Sequence, residues 1–140
     1  MSKLVIVTGA SRGLGLAICR QLLQAGYSVL ALARSQSDEL IQLEQQGLLF
    51  RAADLSKLDN IPALCSELTK QYGRPYALIN NAAVGYDGVL ATMHNSEINS
   101  LLNLNIQAPI LLSKYLLRPM LLNQSGRIVN ISSIIARTGF

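Results

Sequence analysis

The sequence predicts an α/β fold: one doubly wound parallel sheet, strand order 3-2-1-4-5, with helices on both faces. Three observations carry this expectation. Short apolar runs alternate with amphipathic stretches along the chain, the pattern of successive βαβ units. A glycine-rich turn, Gly9 to Gly15, directly follows the first apolar run and leads into an amphipathic stretch. At 140 residues the chain fits the roughly 100–200 residues of one domain, so residues 1–140 are read as a single unit.

The first strand is predicted over residues 3–7, where four apolar residues follow Lys3. A helix over 15–25 places Leu16, Cys19, Leu22 and Leu23 on one face, and Gly26 suits a left-handed terminator. The second strand, 27–33, precedes a helix over 38–46. Asp38 and Glu39 suit the positive start of that helix, and its end falls near Gly47. The third strand is 48–53. Ser56 and Asp59 have the spacing of a capping pair before a helix over 58–72, in which Pro62 is compatible only with the first turn. The fourth strand is 76–80. A polar loop over 81–94 leads to a long apolar-rich helix over 96–122, where Pro109 predicts a kink and frees a carbonyl near Asn105. After the Gln124-Ser125-Gly126 turn, a fifth strand spans 127–132. His94, near a helix start, is assigned no chemistry.

Half of the residues are hydrophobic and 14% are charged, which excludes a solvated disordered chain. No apolar run approaches the roughly 18 residues that span a bilayer, and the first residues lack the pattern of a secretory leader, so a cytoplasmic chain with no membrane partner is expected. Cys19 and Cys65 stand far apart with no CxxC spacing and no His–Cys cluster, pointing to reduced core residues and no metal site. The net charge is +4. It arises in the last forty residues, where Lys114, Arg118, Arg127 and Arg137 face no acid. Aromatic residues are 5% and Trp is absent, which argues against a nucleic-acid partner despite the basic balance.

The chemistry concentrates in Thr8-Gly9-Ala10-Ser11-Arg12-Gly13-Leu14-Gly15. In a strand-to-helix turn that cradles a dinucleotide, Gly9 permits the tight turn, Gly13 lets main chain approach a pyrophosphate, and Gly15 lets the helix pack close to the sheet. The helix start offers N–H donors to the phosphate, and Ser11, Arg12 and Leu14 complete the candidate loop. The bland alternative is that glycines punctuate any such turn. A Walker-type loop is excluded, because no Gly-Lys-Ser/Thr ending is present. The second strand ends Ala33-Arg34-Ser35 without an acid. An acid there would hold a ribose 2′-OH, whereas Arg34, with Arg12 as a second candidate, suits a 2′-phosphate. NADP(H) is therefore expected over NAD, against the alternative of a solvated loop arginine.

Several motifs together resemble the short-chain dehydrogenase/reductase family. They are the glycine turn, Asp54-Leu55 after the third strand, Asn80-Asn81-Ala82-Ala83 after the fourth, Asn105 in the kinked helix, and Ile131-Ser132-Ser133 after the fifth. Ala10-Ser11-Arg12-Gly13, Leu117-Arg118-Pro119-Met120 and residues 126–133 are most similar to the 3-oxoacyl-[acyl-carrier-protein] reductase branch. The resemblance implies a Rossmann-like fold in which Asp54 binds the adenine amino group and the Leu55 main chain contacts the same ring. It implies that Asn80 and Asn81 fix the end of the fourth strand beside the coenzyme ribose, with Ala82 and Ala83 next to it. Ala83 stands where the family more often has Gly. The resemblance further implies that Ser133, rather than Ser132, polarises a substrate carbonyl, and that Asn105 holds the water of a proton relay. A homo-oligomer, dimer or tetramer, is implied for the full-length form, with residues 110–122 in a helical bundle. The implied substrate is a small-molecule carbonyl, with a carrier-linked 3-oxoacyl thioester as one candidate. Gln124 and Ser125 occupy positions where carrier-protein reductases often place basic residues.

The family's proton donor is a Tyr with a Lys four residues later, because a phenol needs a nearby cation to act as an acid at neutral pH. Here the fourth residue after each of Tyr27, Tyr72, Tyr76, Tyr86 and Tyr115 is Ala31, Tyr76, Asn80, Leu90 and Pro119. The pair would follow the Ser-bearing loop, and the outer edge of the fifth strand is apolar and unpartnered. These residues are accordingly expected to be the N-terminal part of a longer reductase, inactive alone. Two alternatives stay open: a non-catalytic NADP(H)-binding or regulatory module, and an interaction fragment built on residues 110–122.

Overall fold

Consecutive apolar residues in a strand point to opposite faces, so a run with no polar member must be covered twice. That is the situation of the apolar stretches 4–7, 29–33 and 77–79 within β1 (Leu4–Thr8), β2 (Ser28–Ala33) and β4 (Ala77–Asn80) in the computed structural model, which describes residues 2–138 apart from the side chain of Ala136. With β3 (Leu49–Ala52) and β5 (Arg127–Asn130) they form a five-stranded sheet in the order β3-β2-β1-β4-β5, all pairs parallel. The expected order is the observed one.

Each face carries its own core. Val5, Val7, Val29 and Ala31 pack under α1 (Gly13–Gln24) and α2 (Asp38–Glu44), with Leu16, Cys19, Leu40 and Leu43 facing them. Leu4, Ile6, Leu30, Leu32 and Leu78 pack on the other side under α3 (Ile61–Tyr72), with Ile61, Cys65 and Leu68. Cys19 and Cys65 are thus buried on opposite faces as free thiols, and burial pushes both up to about 12, which leaves them unreactive at neutral pH.

The element ends depart from expectation by one or two residues in most cases, and three departures have physical causes. First, the Ser56–Asp59 capping pair does not form. Ser56 instead turns back, and both its N–H (3.1 Å) and its hydroxyl (2.6 Å) donate to Asp54 Oδ1. A short turn closes over two residues more readily than a cap over three, and residues 58–60 become a 3-10 turn ahead of α3, with Pro62 in the first turn as expected. Second, the long helix is interrupted without breaking. α4 (Asn95–Leu102) passes through a π-helical turn, Asn103–Gln107, into α5 (Ala108–Leu122). Pro109 cannot donate to the Asn105 carbonyl, and the wider turn absorbs this defect within a continuous coil. Leu112, Leu116 and Met120 of α5 join the α3 side of the core. Third, β5 stops at Asn130, and a single turn, α6 (Ile135–Thr138), follows unpredicted.

Among the described residues β5 pairs with β4 alone, and Ile128 and Val129 are exposed, as the bare-edge expectation requires. No helix among the described residues is long and apolar enough to cross a membrane, and no group of three metal-ligating side chains occurs among them.

Candidate active site

In a parallel sheet, a crevice opens at the C-terminal ends of the strands where the winding reverses, which here is between β1 and β4. The crevice is held shut at its base by Thr8. Its buried hydroxyl donates to the Ile79 carbonyl (3.3 Å) and accepts the Asn81 and Ala82 N–H groups, each at 2.9 Å. Asn81 returns the connection through Nδ2 to the Thr8 and Gly9 carbonyls (3.0 and 3.2 Å). Asn81 is therefore a clasp between the two strands, and it places Ala82 against Gly9. A Cβ added to Gly9, whose φ is +64°, would lie 2.7 Å from Ala82 Cα.

The loop from Gly9 to Gly15 leaves the start of α1 open. Arg12, at the N-cap, has extended backbone (φ −158°, ψ 174°), no side chain caps the helix, and no acid stands in its first turn. Four N–H groups at such an end lack helical partners, and they favour an anion. Gly13 has φ +56°, yet a Cβ there would meet no atom within 4 Å beyond its chain neighbours and its own helix backbone. The space beside it is empty of protein, as main-chain approach by a pyrophosphate demands. Gly15 is the reverse case: its added Cβ would sit 2.3 Å from the Gly9 carbonyl oxygen and 2.6 Å from Asn81 Nδ2. Its closest packing is thus to the loop and clasp, where contact with the sheet was expected. Leu14 is 55% exposed beside this turn. Ser11 is tied down by its carbonyl, which accepts the Ser37 hydroxyl at 2.6 Å. These residues fit a dinucleotide phosphate.

Arg34 follows β2 directly and is exposed, as is Arg12. Neither takes part in an ion pair among the described residues, where the pair present is Arg51–Glu67 (2.6 Å). Both cations remain available to a ligand. Leu55 is buried in the α3-side core, so only its main chain can reach a ligand. Asp54 is exposed and anchored to Ser56. The Ser56 hydroxyl holds its carboxyl below the ordinary 3.8, partial burial opposes this, and the Ser56 N–H, Lys57 and Arg34 reinforce it. A lowered carboxyl contributes stability at pH above its unfolded value, and loses it as pH falls through the folded value. Solvent screening keeps that contribution small. A carboxyl NMR titration should place the Asp54 midpoint below 3.8, and Ser56→Ala should move it upward. An unmoved midpoint would discard the Ser56 bond as the cause.

The remaining site residues converge on a cleft of about 710 Å³ lined by Asn81, Ala82, Ala83, Asn105, Ser132 and Ser133, among others. Asn105 lies in the π turn, and both ends of its amide are spent on Val84: Oδ1 accepts the Val84 N–H and Nδ2 donates to the Val84 carbonyl, each at 2.8 Å. The side chain pins the loop after β4. Its main-chain carbonyl is the group that Pro109 deprives of an α-helical donor. Ser133 is exposed in the loop after β5, and its Oγ accepts the Ile135 N–H at 3.3 Å, which leaves the hydroxyl proton free to be donated.

Sequence reasoning missed two contributors, Thr8 and Ser37. Thr8 stands at the head of the glycine turn, where no motif signals a role for it, although its hydroxyl organises the crevice base. Ser37 carried no motif signal. Asn80 is buried opposite Asn130 in the β4–β5 register; its Nδ2 donates to Asn130 Oδ1 (2.8 Å) and approaches Ser113 Oγ at 3.5 Å. It therefore joins β4 to β5 and α5.

Comparison with known proteins agrees with this geometry. The sequence model of the family described as short chain dehydrogenase matches residues 3–140. The chain is 32% identical over 142 residues to the 3-oxoacyl-[acyl-carrier-protein] reductase of Vibrio harveyi, covering 98% of this chain and 57% of that protein. It is 34% identical to carbonyl reductase family member 4 of Xenopus tropicalis, covering 99% of this chain and 59% of that protein. Among solved structures, a short-chain dehydrogenase from Streptomyces avermitilis superposes with a TM-score of 0.91 at 30% identity, covering 99% of this chain and 52% of that one. A metagenomic short-chain oxidoreductase in complex with NADP superposes with a TM-score of 0.90 at 36% identity, covering 100% of this chain and 66% of that one. The chain spans little more than half the length of the curated relatives it matches. With the strand order, the glycine turn and the Asn81 clasp all in one frame, the chain belongs to the short-chain dehydrogenase family.

Proposed function

We propose that this chain is the NADP(H)-binding part of a carbonyl reductase, which moves hydride between NADP(H) and a carbonyl or alcohol substrate. The observation that carries the reading is the uncapped start of α1 beside the empty space at Gly13, with the unpaired Arg34 at the end of β2. The first suits a pyrophosphate, and the second suits a 2′-phosphate. Asp54 and the Leu55 main chain would flank the adenine, and Asn81, Ala82 and Ala83 the adjoining ribose.

When bound, the coenzyme supplies the hydride. The protein must then stabilise negative charge developing on the substrate oxygen and deliver a proton there. Ser133 holds a hydroxyl proton free for the first task at the mouth of the cleft, and the Asn105 carbonyl offers an acceptor for a relay water. The substrate class proposed is a 3-oxoacyl thioester, a carrier-linked one included. The proposed assembly is a homo-oligomer, and the proposed location is cytoplasmic.

A second reading is favoured by one observation: no Tyr in this sequence has a Lys four residues later. On that reading the chain is a coenzyme-binding module without a proton donor. One experiment separates them. NADPH fluorescence, free of Trp background in this Trp-less chain, reads binding, and NADPH oxidation with an acetoacetyl thioester reads turnover. Saturable micromolar binding that exceeds NADH binding supports the coenzyme assignment. Turnover then selects the reductase, binding without turnover selects the module, and no binding removes both.

A further inference from the structure

We infer that Ser37 is a positioning residue for coenzyme selection: its hydroxyl ties the phosphate loop to the start of α2 and fixes the direction in which the Arg12 segment faces. The inference rests on the NADP(H) reading above. Ser37 Oγ accepts the Leu40 N–H (3.2 Å), which is ordinary helix capping. It also donates to the Ser11 carbonyl (2.6 Å), 26 residues earlier, which the helix itself does not require. A hydroxyl has one proton, so that proton is committed to the loop.

The consequence follows from peptide planarity. In a trans peptide the Ser11 carbonyl and the Arg12 N–H point in opposite directions on one rigid plane, and no peptide bond among the described residues is cis. Holding the carbonyl toward α2 therefore aims the Arg12 N–H away from α2. The loop needs such a constraint, because it is bounded by Gly9 and Gly13, both at positive φ and both conformationally permissive. Among the described residues no other side chain hydrogen-bonds to residues 10–13. Ser37 lies three residues after Arg34, so the tie also joins the two arginine-bearing segments proposed to meet the 2′-phosphate. Losing it frees the Arg12 peptide to rotate, and the ordering that remains to be done on binding weakens NADPH more than a coenzyme lacking that phosphate.

The test uses wild type, Ser37→Ala and Ser37→Thr. Each is titrated with NADPH and NADH, and backbone order parameters of Ser11 and Arg12 are measured by NMR without nucleotide. Ser37→Ala should raise the NADPH Kd about fivefold, the worth of one neutral hydrogen bond, and leave NADH within about twofold. The order parameters of Ser11 and Arg12 should fall, and Ser37→Thr, which keeps the hydroxyl, should restore all three readings. A merely capping role would weaken both nucleotides alike or neither. Equal weakening, unchanged order parameters, or no rescue by Thr would overturn the inference. A wild-type chain that binds neither nucleotide would instead sink the NADP(H) reading, while the order parameters still decide the tie.

Discussion

Gly15→Ala is expected to destabilise the chain by about 3 kcal/mol, at the upper end of the usual cost of overpacking. Helix propensity alone predicts the opposite, since Ala is favoured over Gly inside a helix by roughly 0.5–1 kcal/mol. The steric effect decides the sign. The new Cβ would stand 2.3 Å from the Gly9 carbonyl oxygen, a main-chain atom that no rotamer change can move. Gly9 has little room to retreat, because it already lies against Ala82. Relief must come from parting α1 from the loop, which also disturbs the Asn81 bonds to Thr8 and Gly9. Gly13→Ala provides the contrast. Its Cβ meets nothing, so it should cost only the strain of a positive φ, about 1 kcal/mol, while obstructing the phosphate space. Urea denaturation of both variants without nucleotide measures the difference. A Gly15→Ala midpoint equal to or above wild type would mean that the loop is far softer than its contacts imply.

This contrast shows what the sequence could and could not disclose. The parallel sheet was legible because uninterrupted apolar runs such as 29–33 admit little besides a doubly covered parallel strand. The glycine turn was legible because its context, strand before and helix after, limits what it can be. The division of labour among its glycines was not. Spacing alone cannot say that Gly15 faces the Gly9 carbonyl while Gly13 faces empty space, since that depends on where β4 delivers Asn81 and Ala82. Thr8 and Ser37 were invisible for the same reason. Their hydroxyls bond partners 71 to 74 and 26 residues away, and only the closed sheet brings those together. The Pro109 defect was legible as a defect, but whether a helix kinks or widens into a π turn is settled by what holds it in place. Here Asn105 is fastened to Val84 by two bonds within that turn. Local competition explains the failed Ser56–Asp59 cap, since the Asp54 carboxylate accepts both Ser56 donors from two residues away.

Arg34→Glu should invert coenzyme preference, weakening NADPH by about 60- to 700-fold while NADH improves or holds steady. The magnitude has two parts. A hydrogen-bonded cation facing a phosphate contributes roughly 1.5–3 kcal/mol, and replacing it by an anion adds repulsion of about 1 kcal/mol at contact in high dielectric. Together these amount to about 2.5–4 kcal/mol, and each 1.4 kcal/mol is tenfold. The NADH side has a separate cause, since a carboxylate at the end of β2 can accept from the ribose 2′-OH. The chain is prepared for such an exchange: Arg34 is exposed and joins no ion pair among the described residues, so its removal strands no buried partner and the urea midpoint should stay close to wild type. Salt gives an independent check. Exposed charges are screened within about 3 Å at 1 M ionic strength, so the wild-type preference for NADPH should shrink as salt rises, and in Arg34→Glu the residual discrimination against NADPH should shrink too. Arg12 is the competing candidate. If it alone met the 2′-phosphate, Arg12→Ala would abolish the preference, whereas Arg34→Glu would change the NADPH and NADH constants by nearly the same factor. A common factor for both nucleotides in the Arg34 variant would therefore transfer the selecting role to the glycine loop.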